Sequence, residues 1–486
     1  MLIDLNNEKI REVRYDVCVF GSGPAGMTLA RALAAKGKLV ALVEGGGLDY
    51  SEESQSLYDG KSVGNIQDWN ALRTCRLRYF GGTSNHWTGR CGTFDPVDFE
   101  DRAYYGLPGW PIGRGEVLSF LPKAMEVVDI PAHALPSAHP ALEGGQFHVS
   151  EYAVSAPPTR FGQKYLSEIK SSQKIHAYIN ANLVNIKLRE NGDSVANMEV
   201  RNFKGGSFLL AAKRHALALG SIENARALLN ADRQVEGGIG NHSGMVGRCF
   251  MEHFNVAYGR FVTENPQAMG RALVLSPTAD MVRAHGIGNG VLAFDTNTDA
   301  PIDGRLRVLK KAVRDLICKS DSATAISRKF RDFDCPHDGV ISSMIEQSPN
   351  PDSRVMLDSE RDSFGLRRAK LNWVMSTADR KTIRLLGIEA AKEMARMNYA
   401  RLQLKDFILD EHKEISDVSN HCHQMGTTRM SADPRFGVVD PNCKVHGVSN
   451  LYIAGSSVFP TGGGINPTLT IVMLALRLGE HIGSLA

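Results

Sequence analysis

His423 stands in the segment His421-Cys-His-Gln-Met-Gly-Thr-Thr-Arg-Met430, and Asn466 in Gly462-Gly-Gly-Ile-Asn-Pro-Thr-Leu-Thr470. Imidazole titrates near working pH, so His423 suits removal of a hydroxyl proton while hydride leaves the attached carbon. Asn466 precedes Pro467, a residue suited to the first turn of a helix. Asn466 either does nothing but cap that helix, or stands at its positive end and aims at a bound ring whose negative charge the helix stabilises. His421, Cys422, His423, Cys443 and His446 are also metal-ligand types. Their His-x-His spacing fits the common structural zinc patterns poorly and no Cys-x-x-Cys accompanies it, so no metal is expected.

A second constellation is Gly21-Ser22-Gly23-Pro24-Ala25-Gly26, with Glu44 eighteen residues further on and Gly45 after it. The first glycine permits a tight turn, the second lets backbone amides approach a pyrophosphate, and the third allows close packing of helix on strand. The helix N-terminus then faces the phosphates, and Glu44 accepts hydrogen bonds from a ribose. An enzyme holding both FAD and a nicotinamide usually carries two such fingerprints. Here Gly237-Gly-Ile-Gly240 lacks a preceding strand, so one dinucleotide is expected, either a tightly held flavin or a transient nicotinamide.

A third is Phe80-Gly81-Gly82-Thr83-Ser84-Asn85-His86-Trp87-Thr88-Gly89. Its small residues expose amides and hydroxyls and suit wrapping a planar ring. His86 either hydrogen-bonds within its own turn or lies against that ring, where a ring nitrogen could be bonded to it.

The elements that must position these groups are partly legible. The apolar run Asp16 to Phe20, the glycine turn, a helix over Pro24 to Ala35 and the run Leu39 to Val43 make a βαβ unit opening a parallel sheet. Residues 45–115 show little periodicity and read as long ordered loops. Runs at Lys174 to Ile179, Val184 to Leu188, Ala196 to Val200 and Ser207 to Ala212 read as a small antiparallel piece. His215 to Gly220 reads as a buried strand, followed by a helix over Ser221 to Leu229 with Ser221 as N-cap. A helix over Arg380 to Met397 lies in the stretch 255–415, the best candidate for a second domain. Asn450 to Gly455 is a further buried strand, and Pro467 to Ile482 the last helix.

Composition narrows the class. Of 486 residues 47 are glycine, against about 34 at ordinary usage. Sixteen of these glycines fall in segments expected to touch the cofactor, where backbone must approach closely. With 56 Lys and Arg against 53 Asp and Glu, a net charge of +3 and no long run of like charge, neither nucleic acid nor an anionic membrane is an expected partner. The opening residues are too polar for a signal peptide, and no apolar run is long enough to span a bilayer. The eight cysteines, at 18, 75, 91, 249, 318, 335, 422 and 443, are scattered and read as reduced thiols in a cytoplasmic protein.

With these segments in order, the chain resembles the glucose-methanol-choline (GMC) oxidoreductases. The resemblance rests on the fingerprint, the Gly-Gly-Thr-Ser-Asn-His-Trp loop, Ala216 to Arg226, Gly247-Arg-Cys-Phe-Met-Glu-His253 and Val445 to Pro460. Within the family it looks most like the pyranose-oxidase branch, through His423-x-x-Gly-Thr-Thr-Arg429 and Asn466-Pro-Thr-Leu-Thr470, where the glucose-oxidase branch has histidine at the position of Asn466.

The resemblance implies an α/β protein. A Rossmann-like FAD-binding domain, a doubly wound parallel sheet, is expected from 1–100, 175–260 and 416–486. A discontinuous α+β substrate domain on an antiparallel sheet is expected from 101–174 and 261–415. It decides for FAD as the cofactor, held by the residues above together with Val184, Ala218, Gly220, Gly455, Asn466, Pro467 and Thr468, and it raises a covalent bond through His86. It places Gln347 among sugar-binding side chains, beside His423 and Asn466.

The implied reaction is oxidation of a secondary hydroxyl of a sugar or glycoside to a ketone, with hydride passing to flavin N5, His423 as base and oxygen or a quinone-like molecule as electron acceptor. A lyase that keeps its flavin unchanged, a non-sugar alcohol as substrate, and a purely structural flavin remain as alternatives. The chain is shorter than the fungal pyranose oxidases and lacks their oligomerising insertions, so the resemblance leaves the oligomeric state open.

Overall fold

The computed structural model describes residues 1–9, 14–65, 72–135, 142, 145–150, 152–263, 272–296 and 338–485. Cys318 and Cys335 lie outside the described residues. Two sheets organise the chain.

The first is a six-stranded parallel sheet in the spatial order Leu2–Asp4, Ile175–Ile179, Val40–Val43, Tyr15–Phe20, Ala212–Leu217, Leu451–Ile453. Val17 to Phe20 and Val40 to Val43 are buried without alternation, as strands covered on both faces must be. The Pro24–Ala35 helix crosses over between them, with Pro24 in its first turn. It packs on the final helix, Thr468–Ser484, so closely that a Cβ on Gly479 would meet the Ala32 methyl at 2.7 Å. Ile175–Ile179 therefore belongs to the parallel sheet and not to the antiparallel piece expected there. Pairing direction depends on distant partners and leaves no mark on a short apolar run. The antiparallel piece is three-stranded, Asn182–Leu188, Val195–Arg201 and Ser207–Leu210.

The second sheet is antiparallel and eight-stranded. Its main path runs Arg401–Leu404, Gly259–Val262, Asp338–Glu346, Gly290–Thr296, Ala272–Pro277, Phe147–Val149, with His253–Val256 and Val418–Asn420 joined to it at one side. Phe147–Val149 joins this sheet early in the chain, and the other strands come from the stretch between His253 and Asn420. His253 pairs with Glu346, and Phe254 with Asn420. That register places the residues following Asn420 beside the beginning of the His253 strand.

Two helix starts differ from expectation. Ser221 is the first residue of its helix and Gly220, at φ +84, is the N-cap. Pro467 is the N-cap of the last helix, and Asn466 does not cap it. No described helix is long and apolar enough to cross a membrane.

Candidate active site

The glycine turn is fixed by contact as much as by torsion. Gly21 has φ +106, and a Cβ on Gly26 would lie 1.9 Å from the Gly21 carbonyl oxygen. Gly26 thus sets the closeness of helix and strand and does not itself line the adjoining cavity. Gly21 to Ala25 do line it. The cavity has a volume of about 550 Å³. Glu44, at the end of the Val40–Val43 strand, is held by its own surroundings: its carboxylate accepts from the Ser22 amide at 3.1 Å, the Ser22 hydroxyl at 2.6 Å and the Gly46 amide at 2.9 Å.

Three helices, Pro24–Ala35, Ser221–Asn230 and Thr468–Ser484, begin at this cavity. Each lacks a side-chain cap. Three partial positive ends converging on one space suit a ligand with several negative charges, such as a pyrophosphate-linked dinucleotide. Arg76, Arg78 and Arg90 add full positive charge to the wall. Burial pushes the Glu223 carboxyl up, but the Arg226 and Arg76 guanidiniums more than reverse this and leave it at about 2. The donor set and the glycine turn fit FAD.

The Gly81 to His86 loop closes one side. Gly82, Thr83, Ser84 and His86 line the cavity. Gly81 and Asn85 brace the loop instead: the Gly81 amide donates to the Ser22 hydroxyl at 3.0 Å, and the Asn85 amide group to the Phe80 carbonyl at 3.0 Å. The His86 ring is hydrogen-bonded to the Cys75 carbonyl, and burial lowers its pKa. One ring nitrogen must therefore carry the proton for Cys75, and the other keeps its lone pair.

Ala218, Gly220, Gly455, Pro467 and Thr468 also line the cavity. Val184 does not; Ala181, Asn182 and Leu183, just before it, take that place. Gln347 is likewise elsewhere. It is wholly buried, its Oε1 accepts from the Glu252 amide at 3.0 Å and the Trp373 indole at 2.9 Å, and its Nε2 donates to the Val374 carbonyl at 3.0 Å. With its hydrogen bonds spent inside the protein, Gln347 is a core polar residue and not a substrate contact.

His423 and Asn466 meet at the cavity wall, the Asn466 amide nitrogen 3.0 Å from His423 Nε2. The other imidazole nitrogen, Nδ1, lies 2.9 Å from Nδ1 of His253. His253 Nε2 faces two carbonyl oxygens, of Gly463 at 2.8 Å and Gly462 at 3.3 Å. Carbonyls only accept, so His253 Nε2 carries its proton and its Nδ1 must accept. His423 then donates from Nδ1, and its Nε2 keeps the lone pair beside Asn466. Burial, then the neighbouring His253 and His421, hold His423 well below the usual histidine range; burial takes His253 to about 4. Both rings are neutral at neutral pH.

Two further buried groups fix this arrangement. Glu252 accepts from the backbone amides of His423 at 2.5 Å and His253 at 3.0 Å, tying the two segments together. Glu346 is gripped by both terminal nitrogens of Arg102, at 2.7 and 2.6 Å, and accepts from the Gly463 amide at 3.0 Å. It thereby anchors the loop whose carbonyls orient His253. Burial raises the Glu346 carboxyl and Arg102 overcomes this, leaving it below its ordinary value. His253 and Glu252 carried no assigned role in the sequence, although Gly247 to His253 is one of the segments on which the resemblance rests. Among the described residues no group of three His, Cys, Asp or Glu could hold a metal ion.

Residues 349–475 match the family model described as GMC oxidoreductase. The chain is 26% identical over 277 residues to paromamine 6′-oxidase of Streptomyces fradiae, a match covering 56% of this chain and 45% of that protein. It is 24% identical over 534 residues to 6‴-hydroxyparomomycin C oxidase of Streptomyces lividus, covering 97% of this chain and 91% of that one. Its fold matches the crystal structure of pyridoxine 4-oxidase, with a TM-score of 0.62, 17% identity, and coverage of 96% of this chain and 99% of the other.

Proposed function

We propose that this chain, a GMC oxidoreductase, oxidises a hydroxyl group of a sugar or glycoside, a secondary ring hydroxyl yielding a ketone. The observation that carries the reading is the His423 and Asn466 pair at the cavity wall, with the lone pair of His423 Nε2 directed to Asn466 by the hydrogen bond from Nδ1 to His253. The names of the two Streptomyces relatives support a sugar-like substrate.

Bound FAD supplies the acceptor for the hydride that leaves the carbinol carbon. Gly21 to Ala25, Glu44 and the Gly82 to Ser84 turn would hold its dinucleotide half, and His86, Asn466, Pro467 and Thr468 its ring. The neutral His86, with one nitrogen committed to Cys75, is the side chain we assign to a covalent bond with the ring. His423 Nε2 takes the hydroxyl proton, and the Asn466 amide donates to the same oxygen and holds it. Because His423 is half-buried and neutral, it takes up a proton at the cost of a charge in a poorly solvated site. That cost is offset as negative charge develops on the substrate oxygen beside it.

The test is anaerobic mixing of the purified flavoprotein with a panel of sugars, glycosides and simple alcohols, followed by product analysis. Loss of the flavin's visible absorbance with formation of a sugar ketone is the expected result. Product without bleaching would point to elimination chemistry, and bleaching by simple alcohols alone would move the substrate out of the sugar class.

A further inference from the structure

Cys75 and Cys422 are 347 positions apart in the chain, and their sulfur atoms lie 2.6 Å apart. Both residues line the cavity. Cys75 holds the His86 ring through its carbonyl, and Cys422 separates His421 from His423. Each sulfur also lies 3.2 Å from Oδ1 of Asn420, so one amide oxygen serves both thiols.

The other described cysteines differ. Cys18, Cys91, Cys249 and Cys443 are buried, and burial pushes their thiols up, to about 11 for Cys249 and about 12 for Cys91 and Cys443. They behave as small core residues. In the cavity pair Cys422 is exposed and Cys75 is buried behind it. An exposed thiol in contact with a buried one is the arrangement of an attacked thiol and its resolving partner.

The geometry points to an oxidative modification site, in which Cys75 and Cys422 close to a reversible disulfide when hydrogen peroxide reaches Cys422. The steps balance. The Cys422 sulfur attacks one peroxide oxygen, the O–O bond breaks, and Cys422 becomes a sulfenic acid with release of water. The Cys75 sulfur then attacks the Cys422 sulfur, the S–O bond breaks and a second water leaves. Two thiols and one hydrogen peroxide thus give one disulfide and two waters, and a dithiol reverses the change by exchange. The bridge would join the segment leading into the His86 loop to the segment that carries His423.

The site is independent of the proposed substrate, and so is its test. The full-length flavoprotein is treated with hydrogen peroxide, unfolded in the presence of N-ethylmaleimide, and analysed by intact mass and peptide mapping. The expected result is two fewer maleimide labels than in untreated protein, the peptides of Cys75 and Cys422 recovered as one linked species, and both labels restored by prior dithiothreitol. In Cys75→Ser, Cys422 should gain oxygen instead of a bridge; in Cys422→Ser, an exposed position, Cys75 should stay labelled after peroxide. Full labelling of both cysteines after treatment of the unaltered protein, over-oxidation of Cys422 with Cys75 still labelled, or linkage of either to a different cysteine would overturn the assignment.

Discussion

Nδ1 of His253 lies 2.9 Å from Nδ1 of His423, and the carbonyls behind His253 leave that contact only one direction. His253 touches His423, the proposed base, and does not itself line the cavity, so under that mechanism it is a positioning residue. In His253→Ala nothing obliges His423 to keep its proton on Nδ1, and the lone pair is no longer held at Nε2. Anaerobic flavin reduction should slow by about 10- to 10²-fold, less than the loss of the base itself. The flavin-to-protein ratio should stay near that of the unaltered enzyme. Stopped-flow reduction measured beside flavin content checks both, and an unaltered rate would remove His253 from the proton chemistry.

Replacing the proposed base should be the larger lesion. His423→Ala should retain flavin, since the glycine cradle is untouched, but slow reduction by at least ~10²-fold. Reduction at the rate of the unaltered enzyme would remove His423 from the mechanism.

The directions of the histidine shifts fix a pH response. His423 is held well below 6.5 and His253 at about 4. The acid limb of the reduction rate should therefore lie below pH 6.5. Stability follows the same sign. A histidine whose folded value is depressed takes up its proton more readily when unfolded, so its contribution is complete above about pH 6.5 and is lost as pH falls toward 4. Denaturant unfolding at a series of pH values should show this decline, and constant stability from pH 7 to 4 would contradict it.

Arg102 and Glu346 form a buried ion pair behind the Gly463 loop. Removing one partner strands the other charge, so Arg102→Met should cost about 3–5 kcal/mol in unfolding free energy. Because Glu346 also anchors the loop that orients His253, the residual folded protein should show slower flavin reduction. Paired denaturation and stopped-flow measurements distinguish this from a purely local loss of stability.

The covalent assignment is tested by unfolding. Protein precipitated by heat should keep its yellow colour, and His86→Ala should release free flavin under the same treatment. A yellow supernatant from the unaltered protein would remove the bond.

Much of the cofactor half was legible because its requirements are local. The Pro24–Ala35 helix and the glycine turn follow from residue types at fixed spacing, and the helix bounds coincide with those read from the sequence. Features that depend on distant partners were not legible. Asn466 before Pro467 reads as a helix cap, yet its side chain turns to an imidazole 43 positions away. Leu183 lines the cavity where Val184 was expected, a shift of one residue that also reverses the facing of a strand side chain. The resemblance places Gln347 among sugar contacts, but the Trp373 indole and the Glu252 amide both donate to its Oε1 in the interior. His253 had no visible role because its partner is 170 residues away and is delivered by strand pairing.

That delivery has a practical consequence for anyone preparing the protein. The two imidazoles meet only while the His253–Val256 strand keeps its alignment against Val418–Asn420, and a slip by one residue would turn His253 to the opposite face. The glycine cradle sits on other strands and would survive such a slip. A preparation can thus be fully coloured and still hold a fraction of inert molecules, so flavin absorbance counts loaded protein and only a titration with reducing substrate counts working sites.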